Sequence, residues 1–245
     1  ISSDITPIDS WSKRALKNRE RIISDLKNLS LYKNMDRYHQ RVYDLNKLLS
    51  ISVNTDRFRI TLSDYSDFRL SSVNSKDLLK SAVLYKDNPF YGYFDDQLKT
   101  RIINSKSQYI GISLCYLNQA LVSFALAGWI KDNFKDKKII MGGGLISSWL
   151  SRPDFKDPFK DLIDFTIKGE GEQPLLRFLG KENILKRHFI PDYDFLKKDL
   201  YLSPGVVLPF RASIGCYWSK CNFCPEKAET RLYSSQRASK VLQDL

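Results

Sequence analysis

The residues of this chain best equipped for chemistry are Cys216, Cys221 and Cys224, set in the string Ser213-Ile214-Gly215-Cys216-Tyr217-Trp218-Ser219-Lys220-Cys221-Asn222-Phe223-Cys224-Pro225. Their C-x4-C-x2-C spacing puts three sulfur ligands on one short loop, and soft ligands select zinc or an iron–sulfur cluster over magnesium or calcium. Three readings follow. A plant-type two-iron ferredoxin uses this spacing but needs a fourth cysteine downstream, and none follows Cys224. A structural zinc site also wants four ligands, and the remaining candidates, Cys115, His39 and His188, are distant in sequence. In the third reading, three thiolates hold a cluster whose remaining iron stays open to a cofactor or substrate.

A second set of residues has the composition of a ligand cradle. Gly142, Gly143 and Gly144 leave the apolar run Lys137-Lys138-Ile139-Ile140-Met141, and Lys168-Gly169-Glu170-Gly171-Glu172 leaves Leu162-Ile163-Asp164-Phe165-Thr166-Ile167. Without a Cβ, glycine lets backbone approach a bulky ligand and present N–H donors to it. A glycine turn alone is weak evidence, because any tight strand exit can use one.

The elements that position these residues read as a parallel α/β unit. Tyr109-Ile110-Gly111-Ile112-Ser113-Leu114 is a nearly continuous apolar run, the pattern of a buried parallel strand. A helix over 119–133 follows, then the strands at 137–141 and 162–167, joined by a long loop containing Pro153 and Pro158, and a helix over 173–179. In such open sheets ligands bind at the carboxyl ends of the strands, where the glycines lie.

Together these strings resemble the cobalamin-binding radical S-adenosylmethionine (SAM) proteins. The string G-C-Y-W-S-K-C-N-F-C-P resembles a cluster loop common in one branch of that family, although the usual family spacing is C-x3-C-x2-C. The resemblance implies that Cys216, Cys221 and Cys224 hold a [4Fe–4S] cluster. SAM then chelates the open iron, and Phe223 helps to shape the adenosyl pocket. Upstream, G-I-S…Q at Gly111 to Gln119, the glycine run 142–144 and G-E-G-E at 169–172 resemble the family's cobalamin domain. By that resemblance Ser113, Gln119, Gly142, Gly143, Gly144, Ser147, Gly169, Glu170 and Gly171 bind the cofactor. The implied chemistry is cleavage of SAM to a 5′-deoxyadenosyl radical, hydrogen abstraction from a small-molecule or peptide substrate, and methyl transfer from cobalamin, with electrons from an external donor.

The implied fold is a Rossmann-like parallel-sheet cobalamin domain with a helical N-terminal segment, followed by the beginning of a radical SAM (β/α) barrel. Its expected divisions are a mainly helical segment over 1–104 packing on the α/β domain, a cobalamin domain over 105–180, a linker over 181–205 and the barrel start over 206–245. Val206 to Ile214 is expected as the first barrel strand and Ser235 onward as its first helix. No D-x-H-x-x-G string is present, so cobalt is expected to carry no protein histidine. The G-E-G-E string is distinct from the SAM-binding G-G-E motif of the family. With only three sheet strands visible after 108, the first strand is expected upstream of Ile1 or, irregularly, at Phe58 to Leu62. The chain reads as a fragment of a longer enzyme.

Ahead of the sheet, apolar residues recur at helical spacing over 9–33 (Trp11, Leu16, Ile22, Ile23, Leu26, Leu29) and over 36–50 (Tyr38, Val42, Leu45, Leu48). Phe58-Arg59-Ile60-Thr61-Leu62 alternates as a strand does. Asn74 or Ser75 caps a helix through Leu84, which Asn88-Pro89 breaks. The aromatic run Phe90 to Phe94 is expected to pack beneath the sheet, and Cys115 to be a small core residue.

Composition narrows the function classes. The 245 residues carry 39 Lys and Arg against 28 Asp and Glu, a net charge of +11, but acids are interspersed and no paired-aromatic RNA-binding motif is present, which argues against nucleic acid as the partner. Four cysteines without a disulfide framework point to a reducing, cytoplasmic setting. The apolar window 109–130 is interrupted by Gly111, Ser113, Asn118 and Gln119, which excludes a membrane span. Two other classes stay open: a non-catalytic α/β module with a zinc-binding loop, and a radical SAM enzyme that modifies RNA.

Overall fold

A computed structural model describes residues 9–181, 200–207, 212–224 and 233–244. The chain divides into two compact units, one of residues 1–69 and 191–210, the other of residues 70–190 and 211–245. The division at Arg69 falls inside the segment 1–104, and the expected linker lies mostly outside the described residues.

The first unit is helical with one hairpin. The apolar spacing over 9–33 resolves into α1 (Ser10–Lys17), α2 (Arg19–Leu26) and a 3-10 turn (Leu29–Lys33), followed by α3 (Met35–Ile51). Asparagines punctuate the stretch. Asn18 separates α1 from α2, Asn28 accepts from the Ser30 N–H at 2.9 Å to start the 3-10 turn, and Asn34 accepts from the Arg37 N–H at 3.0 Å to cap α3. Such short side chains satisfy the orphan donors of a first turn. Ala15, Ile22, Leu26, Leu31 and Leu45 form the core, with Tyr38, Val42 and Leu48 against it.

A buried carboxylate ties these helices together. Asp44 accepts from Trp11 Nε1 at 2.8 Å, Gln40 Nε2 at 2.9 Å and Arg41 Nη1 at 3.3 Å, and Arg41 Nε reaches Asp25 at 2.6 Å. Charge buried in this way is tolerated because each oxygen is hydrogen-bonded. Strand β1 (Phe58–Ile60) pairs antiparallel with β2 (Tyr65–Asp67). Phe58 therefore belongs to a local hairpin, and the expectation that it substitutes for a strand of the parallel sheet is corrected. The tight turn at Thr61–Asp64 closes the pair before any distant strand is reached.

The second unit holds the parallel sheet. Helix α4 (Ser75–Val83), capped by Asn74, is followed by α5 (Tyr91–Tyr93), a π turn (Phe94–Leu98) and α6 (Lys99–Asn104). Then come β3 (Tyr109–Ser113), α7 (Leu117–Asn133), β4 (Lys138–Gly142), α8 (Gly144–Leu150), β5 (Phe165–Thr166) and α9 (Glu172–Phe178). The strands pair in parallel in the order β3-β4-β5. In central β4, Ile139, Ile140 and Met141 are buried. The mixed α/β class with a parallel sheet is as expected.

Three local expectations change. Among the described residues β3 is an edge strand whose Tyr109, Gly111 and Ser113 are exposed, because pairing and packing cover β4 instead. β5 keeps two residues, since the N–H groups of Leu162 and Ile163 both donate to Phe159 O, at 2.9 and 2.8 Å, in a turn that shortens the strand. The aromatic run packs on a helix: Phe94 lies 5.9 Å from the Trp129 ring of α7.

Helix α7 is buried on most sides, with Ala120, Leu121, Phe124, Ala125, Ala127, Trp129 and Ile130 out of solvent. It lies so close to α4 that a Cβ on Gly128 would sit 1.9 Å from the Ala82 carbonyl oxygen. Ser81 Oγ donates to Leu121 O at 2.8 Å across the same contact. Tyr85 donates to Asp132 at 2.6 Å, and this bond, with burial, pushes its phenol up to about 12. Among the described residues no helix is long and apolar enough to cross a membrane.

At the opposite end of the sheet from the glycine exits, Asp164 joins three elements. It accepts from Lys131 of α7, from Lys138 at 3.1 Å and from the Ile139 N–H at 2.8 Å. Partial burial pushes its carboxyl up, but these donors outweigh burial and hold it below the ordinary carboxylate range.

Two measurements check this packing. Gly128→Ala is expected to lower stability by about 1–3 kcal/mol or more in denaturant unfolding, because the added methyl meets backbone. Asp164→Asn is expected to cost on the order of 2 kcal/mol at neutral pH. Because the folded carboxyl titrates below its unfolded value of about 4, its contribution is present above that pH. It is lost as pH falls through the lowered value, so the stability difference between wild type and Asp164→Asn shrinks in acid.

Candidate functional site

The C-terminal edge of the sheet is assembled by one close backbone contact. Gly143 has φ +104°, a conformation that favours glycine, and a Cβ there would lie 2.5 Å from Leu114 O and 2.9 Å from Leu114 N. The exit of β3 thus rests directly on the turn from β4 into α8. Leu114 N donates to Gly142 O at 2.7 Å, and Leu145 N donates to Leu114 O at 3.2 Å. Gly143 is required here by the chain's own backbone.

Ser147 completes the edge from beneath. It is buried, its Oγ donates to Gly143 O at 2.9 Å, and it accepts from the Gly169 N–H at 2.8 Å. One hydroxyl therefore joins the exits of β4 and β5. Gln119 has a comparable internal task, its Oε1 accepting from the Cys115 N–H at 3.1 Å and the Tyr116 N–H at 3.2 Å at the start of α7. Helix α8, which positions Ser147, falls where a loop was expected; the signal that marks it is Leu145, Ile146, Trp149 and Leu150 at helical spacing after a strand-ending glycine.

Other residues expected at the cofactor face open space. Nothing lies within 4 Å of a Cβ built on Gly169 or Gly171, and only the Ile167 side chain and carbonyl are near Gly142, at ordinary contact distance. Ser113 and Glu170 are exposed, and Gly144 begins α8. Ser113 Oγ lies 3.5 Å from Cys115 Sγ. Cys115 is exposed, so its expected place in the core is corrected. The chain turns outward after buried Leu114, carrying the thiol to the edge.

The cysteine loop opens from β6 (Ser213–Ile214), which pairs antiparallel with β7 (Ser234–Ser235), and α10 (Ala238–Asp244) follows. Ser234 and Ser235 thus lie in a strand, and the helix expected from Ser235 onward begins at Ala238. The expected strand from Val206 lies partly outside the described residues. Gly215 and Ser219 take positive φ, 74° and 45°, and bend the loop twice around Cys216. Ser219 N donates to Cys216 Sγ at 3.4 Å, and Cys224 N donates to Cys221 O at 3.4 Å.

All three thiols are free and half-buried. Tyr217, Trp218 and Phe223 are exposed, Phe223 at 90%, with Tyr217 edge-on to Tyr233 at 6.0 Å and Lys220 over the Trp218 ring at 5.2 Å. Among the described residues no three His, Cys, Asp or Glu side chains are gathered so as to hold a metal ion. The loop brings the three thiols close in sequence without closing them around one point.

The chain matches no family model, no curated protein and no solved structure.

Gly143→Ala is expected to lower the melting temperature whether or not a ligand is present, because it strains φ and meets Leu114 backbone. Gly171→Ala, at φ −75° with open space around it, is expected to leave the melting temperature within about 2 °C of wild type, a small surface effect. Thermal unfolding of the two variants side by side checks the distinction.

Proposed function

We propose that this chain is the cofactor-binding part of a cobalamin-dependent radical SAM enzyme acting on a small-molecule or peptide substrate. The observation that carries the reading is the cysteine loop: three free, half-buried thiols on one segment, bent by two positive-φ residues. The donor set suits an iron–sulfur cluster, because three soft ligands leave one iron available. Closing the loop is then part of binding, as at metal sites whose ligands assemble only when the metal arrives.

Each residue has a definable task in this reading. Cys216, Cys221 and Cys224 lose their protons and ligate. The Ser219 N–H, already directed at Cys216 Sγ, stabilises negative charge on that sulfur, the kind of outer contact that tunes a cluster. Phe223, exposed beside Cys224, supplies an apolar wall to the adenosyl group. A cluster so held would supply the electron for reductive cleavage of SAM to methionine and a 5′-deoxyadenosyl radical, while these residues would bind and orient the cofactors and exclude water.

The glycine edge supports the cobalamin half of the reading. Gly169 and Gly171 leave room that a corrin ring would use, and the exposed Ser113 and Glu170 offer polar contacts at the rim. Gln119 and Ser147 support that edge from within. No D-x-H-x-x-G string is present, so the ring is expected to bind without a protein histidine on cobalt.

Anaerobic reconstitution with iron and sulfide, read by absorption and paramagnetic resonance, tests the cluster. Cys216→Ala, Cys221→Ala and Cys224→Ala are each expected to lose the cluster signal, whereas Cys115→Ala keeps it. A chain that takes up zinc but never iron would establish the zinc-loop alternative. For cobalamin, Gly171→Val is the informative variant, since its backbone accepts a side chain; uptake by wild type that this variant abolishes supports the edge as the site. Equal uptake by both would remove the cobalamin assignment and leave the cluster assignment standing.

A further inference from the structure

The first unit contains a feature that the proposed function does not use. Between α2, the 3-10 turn and the start of α3 lies a cavity of about 360 Å³ lined by Arg21, Arg37, Arg41, Asp25, Asn28 and Ser30. It is a polar groove open to solvent, since Arg21, Asn28, Ser30 and Arg37 are all exposed. Leu31 is its apolar contribution, so it is poorly suited to an aromatic or aliphatic ligand.

The charge balance of this cavity is positive. Arg41 is committed to the protein, with Nε on Asp25 at 2.6 Å and Nη1 on Asp44 at 3.3 Å. Arg21 meets Asp25 only at 3.9 Å and is largely exposed. Arg37 pairs with no carboxylate among the described residues, and it lies in the first turn of α3, where a cation is opposed by the helix dipole. Three guanidinium groups therefore line the groove with one carboxylate, and Arg37 is the one with no carboxylate partner among the described residues. Asn28 spends its carbonyl oxygen on the Ser30 N–H, which leaves its amide NH2 and the Ser30 hydroxyl as further donors.

We propose that this cavity binds a phosphoryl group of a small phosphorylated ligand, with Arg37 and Arg21 as its charged contacts and Asn28 and Ser30 as neutral donors. Planar guanidinium forks match phosphate oxygens two at a time, which a diffuse basic surface does not. The volume admits a diphosphate-sized group. Arg41, held by Asp25 and Asp44, acts as a positioning residue that keeps α2 against α3.

Inorganic pyrophosphate is the probe, titrated into the whole chain by calorimetry at about 0.15 M salt, where exposed charges are screened beyond about 8 Å. Saturable binding is expected, weakened about tenfold or more in Arg37→Gln. The double variant Lys13→Gln, Lys17→Gln removes two positive charges from α1 that do not line the groove and is expected to bind within about twofold of wild type, because the site depends on its lining guanidinium groups and not on net charge. Because Arg37 is exposed and contributes its backbone N–H, not its side chain, to the Asn34 cap, its replacement is expected to leave the unliganded melting temperature unchanged. Pyrophosphate should raise that temperature in wild type and not in Arg37→Gln, by linkage. Absence of saturable binding, or equal weakening in both variants, overturns the proposal. A short single-stranded RNA that binds tightly and is not displaced by pyrophosphate would overturn the small-ligand assignment. None of these outcomes depends on the cysteine loop or the glycine edge.

Discussion

The second unit depends on the contact between the Leu114 backbone and Gly143. Three parallel strands present their carboxyl ends together only if the exit of β3 can lie across the turn that starts α8, and a side chain at Gly143 would fill that space. The left-handed φ at Gly143 turns the chain at once from β4 into helix, which places Ser147 one turn later under the same junction. From there a single hydroxyl reaches Gly169, so the exit of β5 is registered on the exit of β4. The edge is thus built from backbone apposition and one buried serine. At its rim Ser113 and Glu170 are exposed, and Gly171 has open space where a side chain would be.

The other end of the sheet is held by charge. Asp164 immediately precedes β5, and its carboxylate gathers Lys131, Lys138 and the Ile139 N–H, so α7, β4 and β5 are aligned there by one anion. Between the two ends the middle strand and α7 provide apolar packing, with Ile139, Met141, Phe124 and Trp129 fully buried. Trp129 is held by rings on two sides, Phe94 at 5.9 Å and Phe134 at 5.5 Å. Among the described residues its Nε1 has no acceptor, a cost offset because so much apolar surface of the large ring leaves water.

Much of this was legible in the residues, and the failures are instructive. The parallel α/β pattern, the long helix after β3 and the glycine exits follow from apolar runs broken by small residues. The edge position of β3 did not, because Tyr-Ile-Gly-Ile-Ser is equally apolar whether one or two strands flank it; neighbours decide exposure. Helix α8 was hidden by its length, and the shortness of β5, expected over 162–167, by a turn at Phe159 that consumes residues with strand propensity. The glycines were read as room for a ligand, and the structure separates them: Gly143 is consumed by backbone, whereas Gly169 and Gly171 face open space. Sequence records the missing Cβ, and only three-dimensional surroundings tell what occupies the space it leaves.

The same distinction applies to the three cysteines. Spacing places Cys216, Cys221 and Cys224 on one segment, but proximity along a chain is not convergence in space, and among the described residues they do not form a closed ligand group. Drawing three thiolates together costs loop entropy and brings like charges into contact, so the closed arrangement is favoured only when a cation stands between them. The bends at Gly215 and Ser219 reduce the first cost by fixing part of the turn in advance, and the Ser219 N–H on Cys216 Sγ offsets part of the second. Under the proposed reading, such a loop is shaped toward ligation without being complete, and its final geometry would be set by the metal as much as by the chain.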